Sequence, residues 1–350
     1  MRTYRIDRSY EWNYRHGPAF AGPYPRPPRT PAKEFLGLPV NARLGISAGL
    51  LLNANWIDTY ARLGFDILTY KTVRSAYRAC HPMPNWLYLQ DRDVDGQRAH
   101  RKQDRGPRTG SAANTVSFGM PSQPPEVWMA DVGRARKALR KNQVLVVSVV
   151  GSPGAKAKAG ELAEEFGALT AMAKESGAQV VEANFSCPNV ATAEGDIYLD
   201  AALSGRVAKA MRAAAGTTPL LLKVGHLHEQ RRLSRFLRAV APHVDGVVLV
   251  NGITRRVLGT GRRPGFDKAR PVAGILGKAI HHEAVACVER AVNTVQRDGL
   301  DLRVIGVGGV GSAAEAGHFF DVGAYAVMMG SAPMWDPLLA QRLKRAHPEW

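Results

Sequence analysis

The chain has 350 residues, 45% hydrophobic and 22% charged, the make-up of a globular protein with a substantial core. Its 47 basic and 30 acidic residues leave a net charge of +17, which is compatible with an anionic partner such as a phosphate-bearing cofactor, nucleic acid or an acidic membrane surface. Three cysteines without C-x-x-C spacing exclude a disulfide framework, argue against a zinc or iron–sulfur site, and point to the reducing cytoplasm. No apolar run approaches ~18 residues, which excludes a membrane helix. The basic residues are spread over 134–141, 231–238, 255–270 and the N-terminus, without an aromatic-interleaved face. The excess therefore reads as general surface charge, and nucleic acid is not the expected partner.

Residues 1–34 are rich in Arg, Tyr and Pro and lack the apolar stretch of a secretory signal. They read as an extended arm lying on the remaining domain, 35–350, or on a partner subunit. Strand–helix alternation follows. Strands are expected at 43–47 and 66–72, then a long irregular stretch at 73–123 that reads as a functional lid or an insertion, the insertion at about 85–113. Six more apolar strands are expected at 144–150, 180–185, 219–224, 246–251, 303–308 and 325–329, with helices between and after them and a basic loop running to Arg270. Eight strand–helix units fit a closed, parallel (β/α)8 barrel, and the first turn lacks the G-x-G-x-x-G of a dinucleotide fold.

In such a barrel the functional side chains stand at the C-terminal ends of the strands. Those ends carry Ser47 and Ala48, Lys71 and Thr72, Ser148, Asn184 and Ser186, Lys223, Asn251, Gly308 and Gly309, then Gly330 and Ser331. Two lysines at apolar strand tips, with no acidic residue at a neighbouring tip, are expected to face a ligand. G-V-G-G-V-G-S (306–312) and M-G-S (329–331) read as glycine loops feeding helix N-termini, a phosphate cradle. Cys187, set among Asn184, Ser186, Pro188 and Asn189, reads as an acid–base thiol in a substrate loop, whereas Cys287 reads as core. His281 and His282 show no metal-binding spacing, so no metal site is expected.

Taken together these residues resemble the dihydroorotate dehydrogenase family of flavin mononucleotide (FMN) barrels, most closely its soluble class with a cysteine base. N-F-S-C-P-N-V (184–190) is similar to the family's N-L-S-C-P-N-V, and Y-K-T-V (70–73) with R-A-C-H-P-M-P (78–84) to its T-K-S and R-x-G-N-P-x-P segments. S-F-G-M-P-S (117–122) resembles S-M-G-L-P-N, and A-G-I-L-G-K (273–278) its G-G-A-x-x-K run. The resemblance implies that Cys187 takes a proton from one ring carbon of a dihydropyrimidine while the adjacent carbon passes hydride to the flavin. It implies that Lys71 stands between flavin and substrate as a second catalytic residue, and that Asn184, Asn189 and Asn251 hydrogen-bond the substrate. It places Ala48, Lys71, Thr72, Asn184, Lys223, Asn251, Gly274, Gly308, Gly309, Gly330 and Ser331 around FMN. A soluble electron acceptor such as fumarate and a homodimeric assembly are further implications.

Two positions depart from the family pattern. Val116 stands where the family has asparagine, and Gly252 where it usually has serine or threonine; both are substrate contacts there. A related cyclic amide is therefore an alternative substrate to dihydroorotate. Two other readings compete. One is an RNA-modifying flavin barrel like the dihydrouridine synthases, which have glycine where Ser186 stands and append a helical domain. The other is a flavin-binding barrel without turnover, which the retained Cys187, Lys71 and Lys223 oppose.

Overall fold

Continuous apolar runs have no polar face to show to water, so they form strands only where both faces are covered. In the computed structural model eight such runs form β1 (Leu44–Leu51), β2 (Ile67–Val73), β3 (Val144–Val149), β4 (Val180–Asn184), β5 (Leu220–Lys223), β6 (Gly246–Leu249), β7 (Arg303–Val307) and β8 (Ala326–Met329). They pair in parallel in chain order and close into a barrel, with Val327 of β8 opposite Leu44 of β1. A helix follows each strand, from Ala54–Arg62 after β1 to Leu339–Ala346 after β8. The expected (β/α)8 barrel is the observed one. The structure describes residues 2–90, 94, 98–101, 112–152, 159–186, 197–259, 261 and 263–350. Among these residues no helix is long and apolar enough to cross a membrane.

Strand periodicity sorts the interior into layers. Ile67, Val144, Val146, Val180, Leu221 and Val248 share one apolar cluster with Phe35 and Val40. The last two come from an antiparallel hairpin, Lys33–Phe35 with Leu38–Val40, and both are fully buried. Further along the same strand faces the residues turn polar: Lys71 two positions past Thr69, Ser148, Glu182 and Asn184, and Lys223. The barrel is thus oily near the hairpin and polar towards the C-terminal mouth.

Two parts differ from the sequence expectation. The arm at 1–34 is not simply extended: Tyr10–His16 is helical, and the Ser9 hydroxyl caps it by accepting from the Trp12 N–H at 3.1 Å. Thr3 N–H donates to Met334 O at 2.9 Å, and the Tyr4 ring packs on Trp56 and Phe118. The stretch 73–123 and the basic loop to 270 likewise hold short strands. Trp86–Tyr88, Arg98–His100 and Ala113–Val116 join Ile253–Leu258 and Val272–Gly277 in one five-stranded sheet. Pairings such as Gly274 with Val116 join segments far apart in sequence, which local patterning does not reveal.

One ion pair ties the last helix to the barrel. Lys344 on Leu339–Ala346 meets Asp66, at the start of β2, and both side chains are buried. Asn41 Nδ2 also donates to Asp66 at 3.0 Å. Burial pushes the Asp66 carboxyl up, and Lys344 opposes that shift. Removing one partner strands the other charge. Lys344→Met is therefore expected to lower stability by about 3–5 kcal/mol in denaturant unfolding, and Asp66→Asn added to it to recover most of the loss.

Candidate functional site

A cavity opens at the C-terminal mouth, and the irregularities of the ladder are what shape it. The β1–β2 register shifts between Ile46 and Leu51, and the β2–β3 register between Tyr70 and Val73. A bulge re-aims the side chains it carries. Here the two shifts span Ser47, Ala48, Gly49 and Leu50 on one strand and Lys71 and Thr72 on the next, and all six line the cavity. Asn184, Lys223, Asn251, Gly274, Gly308, Gly309, Gly330 and Ser331 line it too. Eleven expected cofactor-binding positions thus converge on one space. Cys187 and Asn189 lie outside the described residues.

The polar wall is cross-linked. Asn251 Nδ2 donates to Ser186 O at 2.7 Å and to the Ser186 hydroxyl at 3.1 Å. Asn184 Oδ1 accepts from the Ser186 N–H at 3.2 Å, and its Nδ2 lies 3.5 Å from Met120 Sδ. Met120 is held in turn by the buried Arg74, whose Nε donates to Met120 O at 3.1 Å. Lys223 Nζ donates to Ala48 O at 3.4 Å, and Thr72 shares a 3.1 Å hydroxyl contact with Ser148.

No acidic residue was expected at a neighbouring tip, but one stands just below the tips. Glu182, two residues before Asn184 on the same inward face, is fully buried with Oε1 3.9 Å from Lys223 Nζ. Burial pushes its carboxyl up, while the Lys223 charge and the Ser148 hydroxyl act the other way. In sequence Glu182 is one polar letter inside V-V-E-A-N; the alternation V-x-E-x-N was the signal that it faces inward.

The glycines are required by space, not only by turns. Gly308 has φ +143° and Gly309 φ +71°; a Cβ on Gly309 would stand 2.8 Å from both Gly277 O and His281 Cβ. His281 Nδ1 lies 2.8 Å from Gly308 O. A carbonyl only accepts, so Nδ1 carries the proton and Nε2 accepts from His318 Nδ1 at 3.0 Å. A Cβ on Gly330, by contrast, would meet nothing within 4 Å. Backbone thus forms the wall at these turns, which suits an anion approached by N–H groups. The first residues of the helix after β7, Ala313–Asp321, do not line the cavity. Ser312 caps that helix by accepting from the Glu315 N–H, and the Glu315 carboxylate accepts from the Gly311 N–H at 2.8 Å and the Ser312 hydroxyl at 3.1 Å.

The two departures have structural counterparts. Val116 lines the cavity, while Asn114 turns away and donates to Ala112 O at 3.0 Å and the Ser331 hydroxyl at 3.3 Å. At Gly252 a Cβ would stand 2.9 Å from Leu276 Cδ2 and 3.3 Å from Ile275 O, so a side chain there requires the end of Leu276 to shift. Two groups that the sequence did not single out take part instead. Tyr4, from the N-terminal arm, and Trp86, from the five-stranded sheet, line the cavity. Tyr4 Oη and Trp86 Nε1 are buried without a hydrogen-bond partner among the described residues. Of the other thiols, burial pushes half-buried Cys80 up to about 12, and Cys287 is core as expected.

The family model described as dihydroorotate dehydrogenase matches residues 108–349. The chain is 31% identical to the dihydroorotate dehydrogenase of Dictyostelium discoideum, over 97% of this chain and 95% of that one. It is 31% identical to the catalytic subunit of dihydroorotate dehydrogenase B (NAD(+)) of Maridesulfovibrio salexigens, over 53% of this chain and 59% of the relative. It is 25% identical to the dihydroorotate dehydrogenase (quinone) of Bordetella avium, over 84% and 78%.

The glycine geometry is separable by melting. Gly309→Ala is expected to cost about 1–3 kcal/mol, from strain and overlap. Gly330→Ala should stay within about 0.5 kcal/mol of the parent chain.

Proposed function

The chain belongs to the dihydroorotate dehydrogenase family, and from that premise we propose that it oxidises dihydroorotate at its CH–CH bond, using FMN and a soluble acceptor in the cytoplasm. The observation that carries this reading is the convergence of Lys71, Lys223, Asn184 and Asn251 on the cavity whose far wall is the backbone at Gly308, Gly309 and Gly330. Such a wall accepts a phosphate, and the amides present donors and acceptors to a planar imide. Bound FMN supplies the hydride acceptor.

The chain's own groups do the rest. Cys187 as thiolate takes the proton from one ring carbon, and hydride leaves the adjacent carbon, so that the ring gains its double bond. Asn184 and Asn251, braced through Ser186, and Asn189 orient the ring. Lys71 and Lys223 offset negative charge on the reduced cofactor, and Ala48, Thr72, Gly274 and Ser331 complete its surroundings. Tyr4 and Trp86 supply polar contacts that Val116 and Gly252 do not.

The test is anaerobic bleaching of the flavin. Dihydroorotate should bleach it, and dihydrouracil and reduced nicotinamide should not. Protein that releases no flavin on denaturation, or bleaching at an unchanged rate in Cys187→Ala, overturns the reading. Gly330→Val should fold but lose flavin at least about tenfold more readily, because the side chain enters space that the protein leaves open. Tyr4→Phe should raise KM for dihydroorotate about two- to tenfold, the worth of one hydrogen bond, with melting unchanged.

A further inference from the structure

We propose that His226, His228 and Glu283 form a binding site for a divalent cation of the zinc type. His226 and His228 lie on the turn after β5, and Glu283 in the first turn of the helix His281–Arg297. None of the three lines the cavity. The sequence reading expected no metal site from the cysteine spacing and from His281 and His282; these three ligands lie on two segments 55 positions apart, which the barrel brings side by side.

His226 Nε2 lies 3.6 Å from Glu283 Oε2. One ligand atom from each of the three residues lies within 4.8 Å of the other two. Ligands bound at ~2.0–2.2 Å in a tetrahedron stand about 3.3–3.6 Å apart, so little closure is needed. A second observation points inward: the His226 side chain is only 6% exposed, and its Nε2 has no hydrogen-bond partner among the described residues. A buried ring nitrogen is costly to leave unmatched, and a metal ion would match it. Arg290 Nη2 donates to Leu227 O at 3.1 Å and so ties the histidine turn to the glutamate helix. Exposed His228 and half-buried Glu283 face solvent, which leaves a fourth position for water, as in His₂Glu zinc sites. Arg255 and Arg290 are the opposing charges beside His226, and they weaken the hold on a cation there.

The full-length, flavin-loaded chain is stripped with chelator and titrated with Zn²⁺ by calorimetry and with Co²⁺ by visible absorption. One equivalent should bind, with the cobalt spectrum of a four-coordinate site. His228→Ala, which alters an exposed side chain, and Glu283→Gln should each weaken binding at least about tenfold, and Arg255→Gln should tighten it. Absence of binding at micromolar metal, or binding unchanged in the His228→Ala/Glu283→Gln pair, overturns the proposal. So does an affinity indifferent to Arg255→Gln, because the cation then lies elsewhere, for example at the His281–His318 contact.

Discussion

The hydrogen-bonded seam between β8 and β1, with Val327, Met328 and Met329 opposite Leu44, Gly45 and Ile46, is the constraint on which everything else depends. It converts eight parallel strands from a ribbon with two edges into a closed wall. All eight C-terminal ends then face one mouth. Gly45 fits the seam because a Cβ there would stand 2.4 Å from Met328 Sδ and 2.6 Å from Ile67 O. Once closed, the wall is regular except at β1 and β2, and those two register shifts carry Ala48 and Lys71 to the cavity. The site is therefore built from departures in an otherwise uniform ladder.

Two buried ion pairs sit in this frame with different consequences. Asp66 and Lys344 join a strand start to the last helix and do not line the mouth cavity. Burying both charges brings little net stability, and its structural effect is to fix where the helix docks. Lys223 lines the cavity and also meets the Ala48 carbonyl, and Glu182, an acid whose pKa burial raises, stands behind it. A lysine that lines a cavity beside a buried acid suits the stabilisation of negative charge proposed for it.

The fold adds a second layer over the mouth. The five-stranded sheet delivers Trp86, Val116 and Gly274, and the N-terminal arm delivers Tyr4 and Tyr10. This layer carries the departures from the family pattern, whereas the barrel tips carry the lysines, amides and glycines that follow it. The rigid ladder thus carries the positions that follow the pattern, and the added sheet and arm bring Val116, Trp86 and Tyr4 to the same cavity. Exchange of Val116 or Tyr4 leaves the closed wall untouched, so this is where specificity can change without loss of the fold.

The sequence by itself determined the eight strands, the barrel class and the tip residues Lys71, Asn184, Lys223 and Asn251. Each of these follows from a local pattern: an apolar run that ends in a polar residue. Glu182 was legible in principle by alternation, but its meeting with Lys223 depends on two neighbouring strands sharing a register. Only the tertiary structure decided the pairing of Val116 with Gly274, the descent of Tyr4 into the mouth, and the approach of Glu283 to His226. Those contacts join segments that no local period relates, and they form only when closure of the barrel fixes the distance between them.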